Sequence, residues 1–144
     1  MTPEESIDFH IRWAWAKMSK AYNAEAAKAG ATMAMAYALL SVDKDGTPAT
    51  KLGPKMGMEP TSLTRLLKSL EGQGFIERIP DKNDGRKILV HLTRKGKNHR
   101  DVSRQKVIQM NERMHNVIPK EKLEVFFDVM NTINRELDKN NIFG

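Results

Sequence analysis

Residues 60–71, Pro60-Thr61-Ser62-Leu63-Thr64-Arg65-Leu66-Leu67-Lys68-Ser69-Leu70-Glu71, decide how the chain is read. Leu63, Leu66, Leu67 and Leu70 recur at steps of three and four, so on a helix they share one face. Thr61, Thr64, Arg65 and Lys68 share the other. Pro60 suits the first helical position, where no N–H is needed, and Gly72 and Gly74 close the segment, which predicts a helix over 60–72. A helix entering a DNA major groove needs this division: leucines behind, and small hydroxyl and arginine side chains in front. Thr61, Ser62, Thr64 and Arg65 crowd its N-terminal end, and Lys68 sits one turn on, where it can meet a phosphate. Arginine can bind guanine O6 and N7 together, worth about 1–3 kcal/mol of base discrimination. An exposed helix with ordinary polar residues has the same pattern, so this segment does not decide the function alone.

Its neighbours narrow the choice. A short helix around 50–57 places Leu52 and Met56 one turn apart, and Met58-Glu59 separates it from the next helix. Two short helices joined by a tight turn, the second with a polar N-terminal face, form a helix-turn-helix. Downstream, residues 75–79 and 87–92 are rich in β-branched and aromatic residues that partly alternate, and read as two strands. The polar stretch Pro80-Asp81-Lys82-Asn83-Asp84-Gly85-Arg86 between them predicts a hairpin. A hairpin directly after a recognition helix is a wing. Lys82, Arg86 and Lys87 stand at its tip, where a narrow minor groove would attract them. Asp84, two residues before Arg86, is placed to accept the guanidinium and fix its direction. A surface ion pair of small worth is the plainer alternative.

Long helices flank this centre. Residues 5–28 carry Ile7, Ile11, Trp15, Met18 and Tyr22 at helical spacing, with Phe9 and Trp13 beside them. Gly30 ends that segment, Thr32 caps a second helix over 33–42, and Asp43-Lys44-Asp45-Gly46 is a polar turn. Thr93 caps a long helix over 94–117 that Gly96 interrupts near its start. Pro119 ends it, and a last helix over 120–138 carries Leu123, Phe126, Phe127, Met130, Ile133 and Leu137. The expected fold is mainly α with a small β-hairpin wing. It is a single domain over 1–144, with a winged helix-turn-helix at 33–100 and helical dimerisation regions at 1–30 and 101–144.

The charge is concentrated where the reader helix lies. The chain of 144 residues has a net charge of +6, yet residues 49–100 hold 12 Lys/Arg against 5 Asp/Glu, while the rest holds 12 against 13. A localised cationic excess is the footprint of a polyanion-binding face, although a lysine-decorated surface has the same sum. Cysteine is absent, which excludes disulfide scaffolds, thiolate zinc sites and thiol redox chemistry. The apolar stretch Ala34–Leu40 is too short to cross a bilayer, and Glu4 and Glu5 are unlike the basic start of a signal peptide, so a cytoplasmic protein is expected.

Thr61 to Glu71, then Gly74-Phe75-Ile76-Glu77-Arg78, Asp84-Gly85-Arg86 and Leu92-Thr93-Arg94-Lys95-Gly96, resemble the MarR family of bacterial transcriptional regulators. The Asp-x-Arg wing followed by Leu-Thr-x-x-Gly carries most of the likeness, and the flanking helices extend it over nearly the whole chain. The resemblance implies a homodimer with interlocking terminal helices that binds a pseudo-palindromic double-stranded operator, usually as a repressor. It also implies release by a small aromatic or phenolic ligand. Two features depart from the pattern. Gly53-Pro54 replaces a helix-favouring pair, and Pro54 is tolerable only in a first turn, which predicts a short or shifted first helix. Glu59 suits the helix dipole but would repel a phosphate.

The DNA-contact candidates are therefore Pro60, Thr61, Ser62, Thr64, Arg65 and Lys68 on the helix and Lys82, Asp84, Arg86 and Lys87 on the wing. His10, Trp13 and Tyr37 are candidates for a ligand pocket between helices, although aromatics at this spacing also serve as core. His91, His99 and His115 lack metal-ligand spacing, and no nucleophile-base arrangement, P-loop or dinucleotide fingerprint is present. No cofactor, metal or membrane partner is expected, and an enzyme is not. Two rival readings remain: a winged helix that meets an acidic protein partner, and a ligand-binding protein without a DNA function.

Overall fold

The computed structural model describes residues 1–144. A 3-10 turn at Pro3–Glu5 leads into α1 (Ile7–Ala27), followed by α2 (Met33–Ser41), β1 (Thr47–Pro48), α3 (Ala49–Met56) and α4 (Pro60–Gly72). Then come β2 (Ile76–Pro80), β3 (Ile88–Leu92), α5 (Arg94–Val117) and α6 (Lys120–Leu137). The chain divides into two compact units, Met1–Lys106 and Val107–Gly144.

Local chemistry sets these boundaries. The Ser6 hydroxyl accepts the Phe9 N–H at the start of α1, and the Thr32 hydroxyl accepts the Met35 N–H at the start of α2. Gly30 supplies the left-handed conformation that ends the first helical segment, with φ of 70°. Thr93 opens α5 with two bonds: its hydroxyl accepts from Gly96 N at 3.0 Å and donates to the Gly74 carbonyl at 2.6 Å. Pro119 precedes α6.

The core of the first unit lies where α2, α3 and α4 meet the sheet. Ala38, Leu39, Leu52, Leu67, Leu70, Phe75 and Val90 are all buried there. Leu63, Leu67 and Leu70 are buried and Leu66 half-buried, while Thr61, Ser62, Thr64, Arg65 and Lys68 are exposed. The two faces of α4 are therefore divided as its leucine spacing requires.

The sheet has three antiparallel strands in the order β1-β3-β2, one more than the expected hairpin. Thr47 pairs with Val90 and Pro48 with Leu89, while β2 and β3 run in register from Ile76↔Leu92 to Pro80↔Ile88. β1 is two residues long and contains a proline, so it has no period to detect. Pro48 is tolerated because the strand lies at the sheet edge.

Two expectations about helix breakers are overturned. Pro54 lies inside α3, which starts at Ala49, and so stands beyond the first turn. The acceptor it leaves without an N–H partner, the Thr50 carbonyl, belongs to an exposed residue that water can reach. Gly53 before it has no Cβ to clash with the proline ring. Gly53 is also buried: a Cβ there would come 3.2 Å from Leu63 Cδ2, so its bareness lets α3 approach α4. Gly96, likewise, does not interrupt α5. It lies within the helix and is buried, because a Cβ at that point would overlap the backbone carbonyl of Phe75.

Candidate nucleic-acid interface

α4 presents its polar face as a set of uncommitted groups. Pro60 is the first residue of the helix, and Glu59, at the cap position, makes no side-chain capping bond. The Thr64 hydroxyl donates to the Pro60 carbonyl at 2.9 Å and keeps its lone pairs available. Thr61 and Ser62 are exposed in the first turn. Arg65 and Lys68 are exposed, and no carboxylate lies within ion-pairing distance of either.

The wing is shaped by its own aspartates. Asp81 Oδ1 accepts the Asn83 N–H and Asp84 Oδ1 accepts the Arg86 N–H, each at 3.0 Å. The backbone closes the loop with Asp81 N–H donating to the Lys87 carbonyl at 2.9 Å and Lys87 N–H to the Asp84 carbonyl at 3.0 Å. Asp84 therefore fixes Arg86 through the backbone rather than the guanidinium, which corrects the expected pairing. The physical reason is reach: a short carboxylate bonds the N–H two residues on with little cost, and a long exposed guanidinium gains little by folding back. Lys82, Arg86 and Lys87 are all exposed and none is in an ion pair.

Some cations of the scaffold, by contrast, are engaged. Lys55 Nζ donates to Asp43 Oδ1 at 3.0 Å and to the Ser41 carbonyl, tying α3 to the end of α2. That contact, hydrogen bonding first and charge attraction second, holds the Asp43 carboxyl below its ordinary range. Glu25 on α1 is held low by Lys28 and then Lys106, 2.8 and 3.3 Å away.

Residues 43–88 match the model of the MarR family, a span that contains α3, α4, β2 and the wing. The likeness to the MarR family is carried by the winged-helix segment. The transcriptional regulator TtmR of Methylorubrum extorquens is 33% identical over 55 residues, which is 38% of this chain and 28% of TtmR. The chain thus spans under a third of that relative's length. Among solved structures, the MepR–DNA complex of Staphylococcus aureus superposes with a TM-score of 0.85 at 16% identity, covering 92% of this chain and 99% of MepR. CouR of Rhodococcus jostii, bound to p-coumaroyl-CoA, gives 0.79 at 22%, covering 92% and 94%. The fold is therefore that of MarR-type winged-helix regulators.

None of the three ligand-pocket candidates lines the open cleft beside the sheet. His10 Nε2 lies 2.6 Å from the Glu4 carbonyl oxygen and its ring meets Phe9 edge to face. Trp13 is 53% exposed and Tyr37 49%. An open cleft of about 290 Å³ is found elsewhere, lined by Asp43, Lys44, His91, Leu92, Lys97, Arg100 and Arg104. Sequence reasoning missed it because its walls come from three separate segments. The available signal was the spacing of Lys97, Arg100 and Arg104 along one side of α5.

Proposed function

We propose that the chain is a sequence-specific double-stranded DNA-binding transcriptional regulator that acts in the cytoplasm as a homodimer. The observation that carries this reading is the set of five exposed cations, Arg65 and Lys68 on α4 and Lys82, Arg86 and Lys87 on the wing, none of which meets a carboxylate. Charges left unanswered on a reader helix and its wing are poised to displace counterions from phosphates. Arg65, with Thr61, Ser62 and Thr64, reads base edges in the major groove, while the wing enters the adjacent minor groove. MepR, whose fold the chain shares, is described in complex with DNA.

Dimerisation is supported by apolar side chains that the single chain leaves uncovered. On α1, Ile7, Trp13 and Trp15 are exposed, and on α6, Phe126 and Phe127. Burying such groups stabilises association by about 25 cal/mol per Å² of apolar surface. Two copies joined through their terminal helices place their readers one helical turn apart, about 34 Å. The regulator is a repressor, and a small aromatic ligand seated near His10, Trp13 and Tyr37 releases it by preferring one dimer form over the other. That CouR is described bound to p-coumaroyl-CoA supports an aromatic effector of this kind.

Selection of bound fragments from a random duplex pool, with competition at rising salt, tests the reading. An inverted repeat should emerge and outcompete its scrambled counterpart. Recovery of an unselected pool would instead favour the rival winged helix that meets a protein partner, and a ligand that binds without altering DNA affinity would favour the other rival.

A further inference from the structure

The cleft beside the sheet carries a charge that neither α4 nor the wing explains. Lys97, Arg100 and Arg104 follow one another at three and four residues along α5, and cations so placed repel. Lys44, from the turn between α2 and β1, adds a fourth. Lys44, Lys97 and Arg104 have no carboxylate within 4.0 Å, and Arg100 meets only its neighbour Asp101 at 3.1 Å. Asp43 is the one acid in the lining, and its charge is answered from outside the cleft by Lys55, with the Thr47 hydroxyl donating to its other oxygen at 3.3 Å.

The floor is held in place. Gly46 has φ of 93°, and a Cβ there would come 2.6 Å from the His91 ring, so ring and turn lie directly against each other. His91 stands near the end of β3 away from the wing loop, some five residues beyond Arg86. At about 3.4 Å per strand residue that is roughly 17 Å. The lining of this cleft is therefore separate from the wing tip. The volume of about 290 Å³ is at the small end for ligand sites, and the walls are mainly charged.

We propose that this cleft binds a small phosphorylated anion, of the size of a pyrophosphate or a sugar phosphate. A multiply charged phosphate offers enough acceptor oxygens for two guanidinium forks and two ammonium groups, whereas a single carboxylate would leave most of the cations unneutralised. The site stands independently of the DNA-binding reading, because it uses none of the same residues.

Inorganic pyrophosphate, titrated into the full chain against sodium chloride at matched ionic strength and followed by amide NMR, tests this. Saturable shifts are expected at residues 43–46, 91–92 and 97–104. Affinity should fall at least tenfold in the Lys97→Gln/Arg104→Gln variant and also in Lys44→Gln, on a different segment, with duplex affinity unchanged. Equal shifts with sodium chloride, or wild-type pyrophosphate binding by these variants, would overturn the proposal. So would a loss of duplex affinity with a shallower salt dependence, which would assign the cations to DNA phosphates.

Discussion

The Asp84 carboxylate accepts the backbone N–H of Arg86 at 3.0 Å, while the Arg86 guanidinium meets no carboxylate. The aspartate builds the loop and the arginine stays available, so the two residues separate in their effects on binding. Arg86→Ala should weaken duplex binding and reduce the slope of log K against log salt by about one, as expected for one lost phosphate contact. Asp84→Ala should weaken binding roughly fivefold, from about 1 kcal/mol of lost loop ordering, and leave that slope unchanged. Fluorescence anisotropy over a salt series measures both. An unchanged slope in Arg86→Ala would remove Arg86 from the phosphate contact.

Arg65 and Lys68 share the exposed face of α4 and should differ in kind. Arg65→Ala should cost about 1–3 kcal/mol on the selected operator and far less on random DNA, because a bidentate base contact is lost only where the base is right. Lys68→Ala should weaken both alike. Equal losses for Arg65→Ala on the two duplexes would refute base reading.

Gly96 gives a stability prediction unrelated to DNA. A Cβ there overlaps backbone rather than a flexible side chain, so α5 must move off the Phe75 carbonyl. Gly96→Ala should destabilise the first unit by about 2–3 kcal/mol, read as a lowered urea midpoint. Gly72→Ala, where a Cβ meets nothing within 4 Å, is the matched control and should change little.

The Lys55–Asp43 contact sets an acid limb. A carboxyl whose folded-state pKa lies below its ordinary 3.8 contributes stability above that value and loses it as pH falls through the folded one. Thermal midpoints measured below about pH 5 should therefore fall more steeply for the natural chain than for Asp43→Asn. Parallel curves would show that the contact contributes nothing in solution.

The parts of this molecule that could be read from its residues are those with a local cause. The leucine spacing of α4, the Thr32 and Thr93 caps and the polar turns need only near neighbours, and the structure places them where the pattern does. β1 escaped because Thr47 and Pro48 become a strand only through β3, and Gly53, Pro54 and Gly96 were misread because their tolerance depends on Leu63, on an exposed carbonyl and on Phe75. The pairing of Asp84 followed the same rule in reverse: charge suggested a side-chain partner, and the nearer backbone N–H won. Of the cationic cleft only the spacing of Lys97, Arg100 and Arg104 was legible, since Lys44, His91 and Arg104 are brought together only by folding.

Hydroxyl-radical footprinting of the chain on its selected duplex addresses the paired-reader arrangement most directly. Two symmetric patches of protection on one face of the helix, centred about 10–10.5 base pairs apart, are the expected result, with two chains bound per duplex. A single patch with one chain per duplex would contradict it.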